Sequence, residues 1–122
     1  MKKFLCALLL MVPLGTYAEH VDVIEVQLKE GCSLSTYLAI AGDFNDNWGK
    51  QYGYQSEVLA PIQSHNLESL YWVGRSADTG AFGKAFDQWS KDLMDPNSVA
   101  SKLAARFVKC SSNIGRRAYT AH

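Results

Sequence analysis

Tyr37, Trp48, Tyr54, Tyr71, Trp72 and Arg75 are the residues of this 122-residue sequence best equipped for chemistry. Tyrosine and tryptophan present an apolar body with a polar tip, which suits them to hold a small apolar or aromatic ligand. Arg75 can pair a carboxylate on such a ligand. A plainer reading keeps Tyr37 and Trp48 in the core, lays Tyr71 and Trp72 over a dimer face and leaves Arg75 in solvent. Arg116-Arg117 reads as an exposed strand pair, one side chain to each face.

Other chemistries find less support. His20 and His122 stand near the chain ends and His65 in a turn, positions that are usually solvated. Their spacing matches no metal-ligand pattern, so no metal is expected. Asp43 and Asp46, with Asn45 and Asn47 beside them, fall opposite an apolar helical stripe and read as a solvated face. No serine sits in a nucleophile elbow, and Gly80 and Gly83 alone do not make a phosphate loop. No cofactor is expected.

The first eighteen residues read as a secretory signal: Lys2 and Lys3, an apolar run Phe4 to Leu14, then Thr16-Tyr17-Ala18. The run is too short to span a bilayer, which takes about 20 residues, and Cys6 lies inside it, not after it as a lipoprotein requires. The mature chain is therefore expected to be residues 19–122, one domain, periplasmic or secreted, with no membrane span. Losing Lys2 and Lys3 from twelve basic residues leaves ten against twelve acidic, a net charge near −2. With no basic stripe, nucleic acid is not an expected partner. Two cysteines remain, Cys32 and Cys110, and in an oxidising compartment an even pair predicts a disulfide. There is no CxxC motif to suggest redox catalysis.

These residues must be positioned by a small set of elements. Val21 to Leu28 is rich in β-branched residues and reads as a strand. Leu34, Tyr37, Leu38, Ala41, Phe44 and Trp48 recur at helical spacing after an N-cap serine at Ser33 or Ser35, with the helix ending near Gly49 or Gly53. Tyr54 to Ile62 and Leu70 to Arg75 form a hairpin, Pro61 marking the first as an edge strand. Phe82, Phe86, Trp89 and Leu93 stripe a second helix opened by Ser76-Ala77-Asp78. Asp95-Pro96 starts a third, with Val99, Leu103 and Phe107 inward and Asn113 and Gly115 at its end. Ile114 to Ala121 is the last strand. The order β-α-β-β-α(α)-β predicts an α+β ferredoxin-like sandwich, four antiparallel strands in the order 4-1-3-2 with helices on one face. Cys32 and Cys110 then fall at the same end of neighbouring strands, as a bridge requires.

The third strand and following helix, Tyr71-Trp72-Val73-Gly74-Arg75-Ser76 into Ala81-Phe82 and Phe86-Asp87-Gln88-Trp89, resemble the dimeric α/β-barrel superfamily, in its NIPSNAP-like and antibiotic-monooxygenase-like branches. The resemblance implies two protomers joined through their bare sheet faces. Alternation makes both faces of the third strand apolar, which also argues for a homodimer and places Trp72 at its interface. The haem-degrading branch carries Asn, Trp and His in its site. Strand one here has no Asn and the helix from Asp78 to Leu93 no His, so haem chemistry is not implied.

The leading reading is an exported dimer that binds a small apolar or aromatic ligand. The alternatives are a cofactor-independent monooxygenase- or isomerase-like enzyme using Tyr54, Trp72 and Arg75, and a protein-interaction or structural module. A buried polar cluster beneath the helices favours the enzyme, and a deep apolar pocket with only Arg75 at its mouth favours the binder. A flat, packed sheet face favours the interaction module.

Overall fold

The computed structural model describes residues 18–122; all but the last residue of the expected signal segment lie outside them. The chain runs β1 (Glu19–Leu28), α1 (Leu34–Asn47), a short 3-10 helix (Gly49–Tyr52), β2 (Gln55–Leu59), β3 (Ser69–Ser76), α2 (Thr79–Asp92), α3 (Val99–Cys110) and β4 (Ser111–Ala121). The four strands form one antiparallel sheet in the order β2-β3-β1-β4 with the helices on one face, the ferredoxin-like arrangement the sequence predicts. Among the described residues no helix is long and apolar enough to cross a membrane.

Local chemistry sets the helix starts. Ser33, Asp78 and Ser98 each accept a hydrogen bond from the backbone N–H three residues on, satisfying a donor that the first turn leaves free. Asp95-Pro96, expected to open α3, forms a turn instead: the Asp95 carboxylate accepts from the Asn97 N–H, and Ser98 takes over the capping. Gly53 adopts φ 65°, letting the chain reverse from the 3-10 helix into β2. Asn113 and Gly115, expected to end α3, lie inside β4, because the helix stops at Cys110 and the chain extends at once. The β1–β4 register shifts between Glu25 and Val26, leaving Ile114 as the extra residue of β4.

Strand alternation sorts the side chains. His20, Asp22, Ile24 and Val26 of β1 and Leu70, Trp72, Gly74 and Ser76 of β3 face the helices, with Ile24 paired to Trp72 and Asp22 to Gly74. Trp72 is therefore core, only 6% exposed, and not at the bare sheet face where the sequence placed it. Tyr71, Val73 and Arg75 occupy that face. The core gathers Val26, Tyr37, Ile40, Phe44, Trp72 and Leu103. Leu34, Leu38 and Val99, expected inside, are exposed; the helices present Ile40 and Ala100 instead. Asn45, expected in solvent, bonds both the backbone N–H and C=O of Ser56 at 2.8 Å. It thereby acts as a side-chain strand partner along the outer edge of β2.

Cys32 and Cys110 are disulfide-bonded, their Cα atoms 5.2 Å apart. The bridge joins the loop after β1 to the end of α3. The Lys29 N–H also bonds the Cys110 carbonyl at this end of the sheet.

Candidate functional site

Between the sheet and the three helices lies a cavity of about 410 Å³. Ile24, Trp72 and Arg116 come to it from the sheet, Tyr37 and Phe44 from α1, Phe82, Phe86 and Trp89 from α2, and Phe107 from α3. Its walls are aromatic because the apolar stripes of three helices converge on one sheet face. Phe44 is the hub, its ring centroid 5.0 Å from Trp72 and 5.5 Å from Trp89 in edge-on contacts. The volume falls within the range of small-molecule sites. All three tryptophans of the chain, Trp48, Trp72 and Trp89, line it.

A chain of hydrogen bonds crosses one wall of the cavity. The Trp72 indole Nε1 donates to the Tyr54 hydroxyl at 2.8 Å, and that hydroxyl donates to Asp22 Oδ2 at 3.1 Å. Arg116 clasps the same carboxylate with two bonds, Nε to Oδ1 at 2.9 Å and Nη2 to Oδ2 at 2.7 Å. Asp22 is 1% exposed, so its charge depends on these partners for compensation. Gly74 makes the arrangement possible, since a Cβ there would collide with the Tyr54 ring and hydroxyl. The Arg116 guanidinium lies 5.4 Å from the Phe86 ring centroid and 5.9 Å from that of Phe82, within cation–π range.

Electrostatics fixes the protonation states. Burial, reinforced by the Asp22 charge, drives the Tyr54 phenol far above its ordinary value, so it remains a donor. The hydrogen bond to Asp22 raises Arg116, which stays a cation. Burial alone pushes Tyr37 up to about 12. Unfolded tyrosine ionises near pH 10, so above that pH the unfolded chain holds fewer phenolic protons than the folded one. The contribution of these two phenols is fully present below about pH 10 and is lost as pH rises, by about 2.7 kcal/mol per unit while both Tyr37 and Tyr54 resist ionisation. Denaturant melts at pH 9 and pH 11, with absorbance at 295 nm, measure this. Both phenols ionising at pH 11 in folded protein would refute it.

Of the six residues singled out by the sequence, Tyr37, Trp48, Tyr54 and Trp72 line the cavity. Tyr71 and Arg75 lie across the sheet. Arg75 is bound by Glu57 and Glu19 at the margin of a second, polar depression of about 550 Å³, whose other cation, Lys50, pairs with Asp46. The larger volume is thus walled by charges already engaged with one another.

Residue type and spacing single out neither Asp22 nor, beyond an exposed strand position, Arg116. The available signal is an acid flanked by valines in β1, Asp22, and an arginine in β4, but the register that sets Arg116 opposite Ile24 and diagonal to Asp22 follows only from the fold. His20, expected in solvent, is 6% exposed because β1 starts at Glu19, and it stacks on Phe82 with ring centroids 4.1 Å apart. Its Nδ1 meets Thr79 Oγ1 at 3.3 Å, while Nε2 is buried without a partner among the described residues, as is Ser76 Oγ on the facing residue of β3. No group of three or more His, Cys, Asp or Glu residues is placed to hold a metal among the described residues.

Fold and cavity together define a ferredoxin-like sandwich with a ligand-sized space beneath its helices. Among solved structures the chain is similar to SnoaB, a cofactor-independent oxygenase from Streptomyces nogalater, with TM-score 0.56 and 12% identity over 86% of this chain and 94% of that one. It is similar too to a conserved protein from Methanosarcina mazei Go1, TM-score 0.58 and 14% identity over 88% and 96%. At these identities the likeness is one of fold, and it agrees with the resemblance to the dimeric α/β-barrel superfamily. Comparison with family models gave no match, nor did comparison with curated proteins.

Proposed function

We propose that the chain binds a small, planar, largely apolar ligand in the cavity between sheet and helices. The observation that carries this reading is an aromatic-walled space with one charged, hydrogen-bonded group, Arg116, on its lining. Such a site takes up an apolar body by burial and orients it by a single polar contact. The neutral probe N-phenyl-1-naphthylamine tests it, because its absorption overlaps the emission of the three lining tryptophans. Saturable energy transfer at one probe per chain is expected, abolished by Ala104→Phe, which fills the cavity. Non-saturable transfer, or transfer that survives the substitution, overturns the reading.

The enzyme reading draws on the buried Asp22, Tyr54 and Trp72, clasped by the half-exposed Arg116, and on the fold likeness to a cofactor-independent oxygenase. Tyr54 and Arg116 hold their protons, and both Asp22 oxygens already accept bonds, so the cluster offers donors and no free base. Binding is therefore favoured; oxygen consumption with a bound ligand in air would move the conclusion to catalysis. The side-chain bonds of Asn45 along the β2 edge weigh against an interaction module working through that strand.

The protein is further proposed to be exported, supported by the Cys32–Cys110 bridge, and N-terminal sequencing of secreted material should begin at Glu19. It is also proposed to pair through the bare sheet face, where Leu59 and Tyr119 are 49% and 52% exposed beside Val23 and Tyr71. Sedimentation as a monomer at micromolar concentration would exclude that pairing.

A further inference from the structure

We propose that Arg116 selects a carboxylate on the ligand, so that the site takes planar apolar monocarboxylates, an inference that rests on the cavity serving as a ligand site. A guanidinium carries five N–H donors in a fixed plane. Asp22 takes the side-on edge, Nε–H and one Nη2–H. Among the described residues the Arg116 guanidinium makes no other hydrogen bond, which leaves the end-on edge, one N–H from each Nη, pointing in parallel. Two parallel donors at that spacing match the two oxygens of a carboxylate; a single carbonyl or hydroxyl oxygen uses them less well.

Position and rigidity support the same assignment. The Arg116 side chain is 47% exposed and lines the cavity, so the guanidinium is within reach of a ligand there. Its plane is held from one side by Asp22, itself anchored by Tyr54, and by the Phe82 and Phe86 rings. A group already fixed loses little freedom on binding. The rest of the lining is apolar apart from Tyr37 and Tyr54, the indoles, Ser90 and Asn113, so recognition divides between one charged end and an uncharged body. The volume of about 410 Å³ accommodates a two-ring aromatic acid.

The experiment displaces N-phenyl-1-naphthylamine from the disulfide-bonded protein with 2-naphthoate and with its neutral isostere 2-naphthamide. The acid is expected to displace at a concentration about tenfold lower than the amide, the difference between a charge-assisted pair and a neutral bond. In Arg116→Lys, a point charge without the planar fork, the acid-to-amide ratio should shrink to within about twofold. Arg117→Gln, its neighbour on the opposite sheet face, should retain the wild-type ratio. Equal displacement by acid and amide in the wild type, or a ratio that survives Arg116→Lys, overturns the carboxylate while leaving the cavity reading intact. Failure of the probe itself to bind overturns both. Should Arg116→Lys not fold, the wild-type ratio alone decides.

Discussion

Gly74→Ala is expected to lower stability by about 3 kcal/mol, a large loss for the addition of one methyl group. The Cβ would occupy the place of the Tyr54 hydroxyl and the adjoining ring carbon. The ring must then move, and Trp72 Nε1 loses its acceptor while Asp22 Oδ2 keeps only Arg116 as a donor. Two costs add: overpacking of a close-packed interior, and a buried indole N–H left without a partner. Chemical denaturation measures the sum. The cause is checked in a Tyr54→Leu background, where the ring is absent and the same substitution should cost less than about 1 kcal/mol. A Gly74→Ala protein within 0.5 kcal/mol of wild type, roughly the scatter of neutral substitutions, would mean that the Tyr54 contact does not matter.

Trp72→Ala is expected to cost about 4 kcal/mol of folding free energy. The indole sits against Phe44 and Phe107 with centroids 5.0 and 5.3 Å away, and its removal leaves a void beside an existing cavity. Its effect on association should be indirect at most, because the side chain lies on the helix side of the sheet. Tyr119→Asp, on the proposed pairing face, should do the reverse, dissociating a dimer with little change in folding stability. Denaturant midpoints and sedimentation of the two variants separate the effects. A folded, stable Trp72→Ala protein that has become monomeric would contradict the placement.

Trp72 also shows what kind of information the sequence carries. Alternation along Leu70 to Arg75 gives parity: Leu70 goes with Trp72, and Tyr71 with Val73. It does not give sidedness, since both pairs are apolar and either can face the helices. The structure settles this through Gly74, which shares parity with Trp72 and must lie where Tyr54 crosses the sheet. Element types and order were legible because each stripe recurs at its own period and each helix start carries a side-chain oxygen. The start of β4 was not, because Cys110-Ser111 has no glycine or proline to mark the change from helix to strand.

The site was half legible for a related reason. Tyr37, Trp48, Tyr54 and Trp72 announce themselves by residue type. Arg116 looks like any surface arginine until β1 and β4 are set side by side, which brings it to Asp22 across a sequence separation of 94. Arg75 was the more visible cation, ending an aromatic strand, but its parity places it with Tyr71 and Val73, and two glutamates occupy it. Long-range electrostatic pairs follow from topology, and residue type alone does not reveal them.

The Cys32–Cys110 bridge changes the connectivity on which that pair depends. Followed along the backbone, Asp22 and Arg116 are nearly the whole protein apart. Followed through the sulfurs, they are ten residues from Cys32 on one arm and six from Cys110 on the other. The bridge thus turns β1 and β4, the outermost segments of the described chain, into the arms of a covalent hairpin whose turn is a disulfide. In an oxidised chain with its helices melted, the carboxylate and guanidinium remain tethered at high effective concentration. Reduction multiplies the length of the loop that must close to reunite them. A pairing that is non-local in sequence is made local by a bond between two side chains, and the part of the site least visible in the sequence is the part this tether keeps together.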